Sequence, residues 1–268
     1  MATLAVMRIL ITGSARAIGA ATATELSRAG HDVIATARDA SLLDGLDVAL
    51  RLPLDVTDEN SVRSALDRAG ELDAIVNNAA ISIKGPMESF PIDQLRDMFE
   101  TNTFGPLRLL QQVVPHWRVR GSGVVVNVSS VQGRLATPLE GPYAGTKHAL
   151  EAISESLHYE LGHFGIRVVI VEPGYIAPGM KRADRIAGSP DYRELWDQWE
   201  GTDQKVAGPG GRPGPDLVAV AIRRAIEDPS TPLRVPVGDD AVAVLGARAQ
   251  LDDAAFESAM RTTLGVTW

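Results

Sequence analysis

A doubly wound α/β fold, one parallel sheet with helices on both faces, is predicted by two features of this chain. Short apolar runs alternate with longer helical stretches from end to end, and nothing that reads as an inter-domain linker or a repeat interrupts them. The runs are apolar throughout rather than on alternate residues, as strands covered on both faces require. At 268 residues, 45% apolar and 22% charged, the chain suits a single domain over 1–268.

Composition narrows the function classes. A net charge of −8 provides no basic patch, so neither nucleic acid nor an anionic membrane is an expected partner. The absence of cysteine excludes disulfides and thiolate chemistry and fits a reducing, cytoplasmic setting. The apolar opening MATLAVMRILITG lacks a charged leader and reads better as a first strand than as a signal segment. No run approaches the roughly 20 apolar residues that span a bilayer. No metal site is expected.

Residues 8–12 (RILIT) form the first predicted strand, and 18–29 a helix; between them lies the turn TGSARAIG. Gly13 and Gly19 in such a turn let a backbone approach a pyrophosphate, and the helix start near Ala17 and Ile18 supplies unpaired N–H donors. The same glycines also suit tight packing. A second strand, 31–37, ends beside Arg38. The residue closing this strand faces the adenine ribose in a dinucleotide site: an acid there accepts from the 2′-hydroxyl of NAD, and an arginine receives the 2′-phosphate of NADP. Arg38, with Arg16 as a second cation and no carboxylate before Asp39, points to NADP(H).

A third strand, 50–56, carries Asp55 at its end, and a polar-faced helix follows from 58 to 69. A fourth strand, 74–80, holds Asn77, Asn78 and Ala79, the two asparagines being either turn residues or donors to a ligand. A long helical stretch from 92 to about 118 is interrupted by Asn102, Gly105 and Pro106. That conflict with local propensity marks a kink or a functional position.

The chain is organised around residues 123–150. A β-branched run, 124–128, ends in Ser129 and Ser130, at the strand end that faces the ligand crevice in an open parallel sheet. The following helix, 143–162, opens with Tyr143, and Lys147 lies four residues on, so both project from one face. Ser130, Tyr143 and Lys147 are expected to converge. A phenol with a pKa of about 10 exchanges protons poorly at neutral pH, and an ammonium one turn away lowers that value, making Tyr143 a usable general acid/base.

A strand at 167–172 then leads to Pro173 and Gly174. Residues 175–215, rich in proline, glycine and charge and holding Tyr175, Tyr192, Trp196 and Trp199, read as a lid or binding segment within the domain. A helix at 218–226, a last strand at 233–237 and a helical tail complete the chain.

Taken together, Thr12-Gly13, Gly19, Asp55, Asn77-Asn78-Ala79, Asn102, Ser130 thirteen residues before Tyr143, Lys147 and Pro173-Gly174 resemble the short-chain dehydrogenase/reductases in their short, single-domain Rossmann-fold form. The resemblance covers nearly the whole chain. It implies that Ser130 holds a substrate carbonyl oxygen, that Tyr143 transfers its proton, and that Lys147 binds the nicotinamide ribose and lowers the tyrosine pKa. It further implies that Asn102 relays protons through a water, that Asp55 touches adenine, and that Asn77 steadies the cofactor crevice. Ile18, Ala79, Pro173 and Gly174 complete the implied cofactor contacts. Basic residues at 16 and 38 mark NADP users of that family, and its members are commonly dimers or tetramers. Two positions depart from the pattern: Ala17 replaces a glycine in the first turn, and Pro178 stands where a threonine often binds the carboxamide.

The expected activity is NADP(H)-dependent interconversion of a ketone and a secondary alcohol. NAD(H) is the alternative cofactor, with Arg16 and Arg38 then bystanders in an NAD-dependent alcohol dehydrogenase. A cofactor-binding regulator without chemistry is a third reading; such proteins typically lack the tyrosine or the lysine, and this chain has both.

Overall fold

The computed structural model describes residues 5–178, 185, 186, 188–200, 202 and 211–268. Its strands are β1 (Arg8–Ile11), β2 (Asp32–Ala37), β3 (Leu50–Pro53), β4 (Ala74–Asn77), β5 (Gly123–Val128), β6 (Ile166–Pro173) and β7 (Arg234–Val237). They form one sheet in the order β3-β2-β1-β4-β5-β6-β7, parallel at every pairing. The direction of winding reverses between β1 and β4, and a crevice opens there beyond the carboxyl ends of the strands.

Helices α1 (Ala17–Arg28), α2 (Glu59–Ala69), α3 (Ile92–Phe99), α4 (Gly105–Arg120), α5 (Gly141–Gly162), α6 (Arg193–Glu200), α7 (Asp216–Glu227), α8 (Asp239–Gln250) and α9 (Asp253–Leu264) complete the described elements. The uninterrupted apolar runs are explained by burial on both faces. Ile9, Ile11, Val124 and Val126 pack with Ala23 and Leu26 of α1 and with Val218 and Ile222 of α7. Leu10, Ile75 and Val125 pack on the opposite face with Val62 of α2, Leu109 and Val113 of α4, and Leu161 of α5. The one amide in the β5 run, Asn127, is buried and satisfied: it donates to Ser154 Oγ at 2.8 Å and accepts from Asn77 Nδ2 at 2.8 Å.

Several predicted boundaries move. β3 ends at Pro53 and β4 at Asn77, so Asp55 and Asn78 to Ala80 lie in the loops that enter the crevice. The stretch 92–118 divides into α3, a π turn (Glu100–Phe104) and α4, so the break expected around Asn102 is present. The tail forms two helices, α8 and α9, separated by Leu251 and Asp252, the latter capping α9 through Ala255 N. No helix among the described residues is long and apolar enough to cross a membrane.

Candidate active site

A cavity of about 1160 Å³ runs along the carboxyl ends of the strands, from Arg38 and Asp55 past the β1–α1 turn to Ser130, Tyr143 and Trp199. At its first end the turn after β1 is fixed by side chains of the neighbouring strand. Thr12 Oγ1 accepts from the backbone N–H of Asn78 (3.0 Å) and of Ala79 (2.9 Å), and Asn78 Nδ2 donates to the carbonyls of Thr12 (2.9 Å) and Gly13 (3.1 Å). Gly13 has φ +71°, and a Cβ there would come within 2.9 Å of Ala79 Cα; a Cβ on Gly19 would meet the Gly13 carbonyl at 2.2 Å. The two glycines therefore serve the packing of the turn, which in turn presents the start of α1 to the cavity.

Ala17, the first residue of α1, has φ +46°. A β-carbon in this left-handed region is strained by roughly 1–2 kcal/mol, so the departure from glycine noted in the sequence has a local cost. Arg16 and Arg38 are exposed on the cavity rim. Among the described residues neither guanidinium has an ion-pair or hydrogen-bond partner, whereas the nearby Asp39 carboxylate accepts from Ser41 N (3.0 Å) and Ser41 Oγ (2.7 Å). Those bonds hold the Asp39 carboxyl below its usual range and commit it to capping the turn Ala40–Leu43. Asp55 lines the cavity and accepts from Thr57 N (2.9 Å) and Thr57 Oγ1 (2.8 Å). Ile18, Ala79, Pro173, Gly174 and Pro178 also line it.

At the other end, β5 and α5 bring the three predicted residues together. Ser130 caps a short turn (Val131–Gly133), its Oγ accepting from Gln132 N at 3.2 Å, and its hydroxyl also bonds the Tyr143 phenol. Lys147 is buried; its Nζ donates to the Val128 carbonyl at 2.8 Å and lies 5.7 Å from the centre of the Tyr143 ring. The charge balance differs from the sequence expectation. Burial pushes the Tyr143 phenol above its ordinary value of 10, the negative charge of Glu140 pushes it further, and the Ser130 bond opposes both. Burial lowers Lys147 itself to about 8, with Glu151 opposing.

Two predicted residues do not reach the cavity wall. Asn77 points between β4 and β5, where its Nδ2 serves Asn127; the adjacent Asn78 lines the cavity. β4 ends at Asn77, three residues earlier than expected, so Asn77 is a strand residue turned towards β5 and Asn78 is the first residue of the loop that enters the cavity. Asn102 is buried in the π turn, accepting from Ile81 N (2.8 Å) and donating to Ile81 O (2.9 Å) and Thr146 Oγ1 (3.0 Å). Thr146 Oγ1 donates in turn to the Tyr143 carbonyl at 2.7 Å, so Asn102 braces the loop after β4 against α5.

Sequence reasoning missed a charged cluster beside Tyr143. Glu140, at the start of α5, is buried and pairs with Lys84, and Gln132 Nε2 donates to its other oxygen. Lys84 Nζ also lies 5.9 Å from the centre of the Trp199 ring. The only local signal was an acid three residues ahead of Tyr143, in a Pro- and Gly-rich stretch that reads as loop. The segment 175–215 is described in part; residues 179–184, 187, 201 and 203–210 lie outside the described residues. In the described part, Trp196 and Trp199 of α6 are buried against Leu139, Leu264 and Val266 while also lining the cavity.

Residues 7–187 match the family model for short chain dehydrogenases. The chain belongs to the short-chain dehydrogenase/reductase family. It is an oxidoreductase of that family. It is 34% identical over 238 residues to an uncharacterized oxidoreductase of Schizosaccharomyces pombe, a match covering 85% of this chain and 98% of the relative. The crystal structure of a short-chain dehydrogenase from Streptomyces avermitilis is 35% identical with a TM-score of 0.83, covering 98% of this chain and 100% of that one. A gluconate 5-dehydrogenase from Burkholderia cenocepacia, solved in complex with NADP and tartrate, is 28% identical with a TM-score of 0.73, covering 90% of this chain and 97% of that chain.

Proposed function

We propose that the protein is an NADP(H)-dependent oxidoreductase that interconverts a ketone and a secondary alcohol, with Tyr143 as general acid/base. The observation that carries this reading is one cavity with Ser130, Tyr143 and Lys147 at one end and, at the other, the guanidinium groups of Arg16 and Arg38, which have no partner among the described residues. The residues fit the implied cofactor. The start of α1, with its unpaired N–H groups, would hold the diphosphate, Arg16 and Arg38 the 2′-phosphate, Asp55 the adenine end and Lys147 the nicotinamide ribose. The relative solved with NADP supports the choice. When bound, the nicotinamide would give or take the hydride at the carbonyl carbon.

In reduction, Ser130 donates to the substrate carbonyl oxygen and Tyr143 delivers its proton to the same oxygen, so one hydride and one proton make the alcohol. The raised phenol of Tyr143 is protonated at neutral pH and suits the donor role. The phenolate left behind lies near the Lys147 ammonium, which stabilises it. In oxidation the same proton returns to Tyr143. Trp196 and Trp199 close the substrate end, segment 175–215 acts as the lid, and the protein works in the cytoplasm as a homodimer or homotetramer.

The test is a screen of ketones with NADPH and NADH and of secondary alcohols with the oxidised forms, read by absorbance of the reduced nicotinamide, alongside direct cofactor titration. The expected result is NADPH oxidation with at least one ketone. Cofactor binding without turnover on any substrate, and equal rates for wild type and a Tyr143→Phe variant on any that reacts, are the results that oppose it.

A further inference from the structure

Behind the catalytic strand, two carboxylates that the proposed mechanism does not use are buried almost completely: Glu151 is 3% exposed and Glu172 is 1% exposed. Glu151 follows Lys147 by four residues on α5, so the two side chains leave the same face one turn apart. Its Oε2 accepts from Arg234 Nε of β7 at 3.0 Å, and Arg234 continues to Glu155 at 2.6 Å. Its Oε1 has no partner among the described residues and faces the turn after Ser130. A Cβ built on Gly133 would come within 3.1 Å of that oxygen and 2.6 Å of Ser129 Oγ, which is also unpartnered. Glu172 Oε1, at the end of β6, has no hydrogen bond among the described residues and is ion-paired with Arg134 at 3.6 Å.

A buried ammonium without a counter-charge sheds its proton, and Lys147 is 2% exposed with a carbonyl as its hydrogen-bond acceptor. We propose that Glu151 is a positioning residue for the reaction: its buried carboxylate, one helical turn from Lys147, is the counter-charge that keeps Lys147 protonated beside Tyr143. This rests on the catalytic reading given above. The electrostatics agree in direction: Glu151 opposes the lowering of Lys147 by burial, and burial, followed by the charge of Glu151, raises Glu172 to about 7. The other charged groups turned towards this region are paired, two of them with these carboxylates. Arg134 from the turn faces Glu172, Arg234 bridges Glu151 and Glu155, Glu140 pairs with Lys84, Glu100 of the π turn pairs with Arg108, and Asp240 of α8 accepts from Tyr175 N.

The test uses the full chain and Glu151→Gln, which keeps the size and an acceptor for Arg234. Ketone reduction and NADPH affinity are each measured from pH 6 to 9.5. In wild type both fall as pH rises through about 8, where Lys147 loses its proton. In Glu151→Gln both limbs move about 1 to 3 units lower, the range typical of losing a near counter-charge, while the rate at pH 6 recovers towards wild type. Glu151→Asp restores most of the limb. A purely structural role lowers the rate equally at every pH, and an unmoved limb overturns the proposal. If Glu151→Gln does not fold, Glu172→Gln decides: an unmoved limb is expected, and a limb moved down by 1 unit or more makes Glu172 the counter-charge and overturns the assignment. Lys147→Met separates the two readings. No effect of that variant on rate or affinity sinks the catalytic scheme; a large effect with an unmoved Glu151→Gln limb sinks only the role of Glu151.

Discussion

The two ends of the cavity handle charge in opposite ways. At the cofactor end Arg16 and Arg38 stand in water on the rim, where their positions are set by a rigid turn and a strand end. At the reaction end Lys147, Glu140, Glu151 and Glu172 are all buried. Exposed cations choose a ligand by charge-assisted hydrogen bonds of modest strength; buried ones change their own protonation and that of their neighbours. The first end should therefore govern which cofactor binds, and the second should govern rate and its dependence on pH.

The largest expected effect lies at the buried end. Tyr143→Phe removes the acid/base group and should lower turnover by about 10²- to 10⁴-fold while NADPH binding stays near wild type. Steady-state rates with a cofactor titration check this, and near wild-type turnover breaks the comparison at its buried side.

Next comes Arg38→Asp, which takes a cation from the rim and adds a like charge to the 2′-phosphate. NADPH affinity should fall by more than the roughly tenfold that a loss of about 1.5 kcal/mol implies, and NADH affinity should hold or improve. Arg16→Ala should weaken NADPH alone. If either variant changed the pH profile of the rate, the separation between the two ends would fail.

Lys147 sharpens the contrast because its activity and its stability should respond to pH in opposite senses. With the folded value at about 8 and the ordinary value at 10.5, the unfolded chain holds a proton in that window that the folded chain has released. Stability from this group therefore rises as pH goes from 8 to 10.5, while the ribose contact and the rate decline. Thermal melts and rates over that range test the sign, and Lys147→Met should flatten the rise in stability.

The smallest expected effect is at Ala17. Ala17→Gly relieves a strain of roughly 1–2 kcal/mol at φ +46° but adds about 0.5–1 kcal/mol of unfolded-state entropy. The balance predicts a melting temperature higher by about 1–3 °C, with cofactor affinity equal or better. A lower melting temperature would contradict the strain assigned to this turn.

Much of this was legible in the sequence because it is local. Period and apolar run length mark the strands, a four-residue spacing puts Tyr143 and Lys147 on one face, and Gly105-Pro106 after Asn102 announces the break in the helix. What was not legible depends on depth and on distant partners. Nothing near Tyr143 in the sequence shows that Lys84, 56 residues before Glu140, pairs with that acid, or that burial outweighs the nearby ammonium in setting the phenol. That Asn78 and not Asn77 lines the cavity was hidden because β4 ends three residues before the predicted Ala80, and strand ends are what pattern alone places least well.

The most direct measurement of the central claim is an equilibrium titration of NADPH and of NADH into the wild-type protein at fixed, low salt. Two guanidinium groups on the rim, unpaired among the described residues, predict NADPH tighter by at least about tenfold. NADH binding as tightly as NADPH, or more tightly, would contradict the account and leave Arg16 and Arg38 as bystanders beside an NAD-linked site.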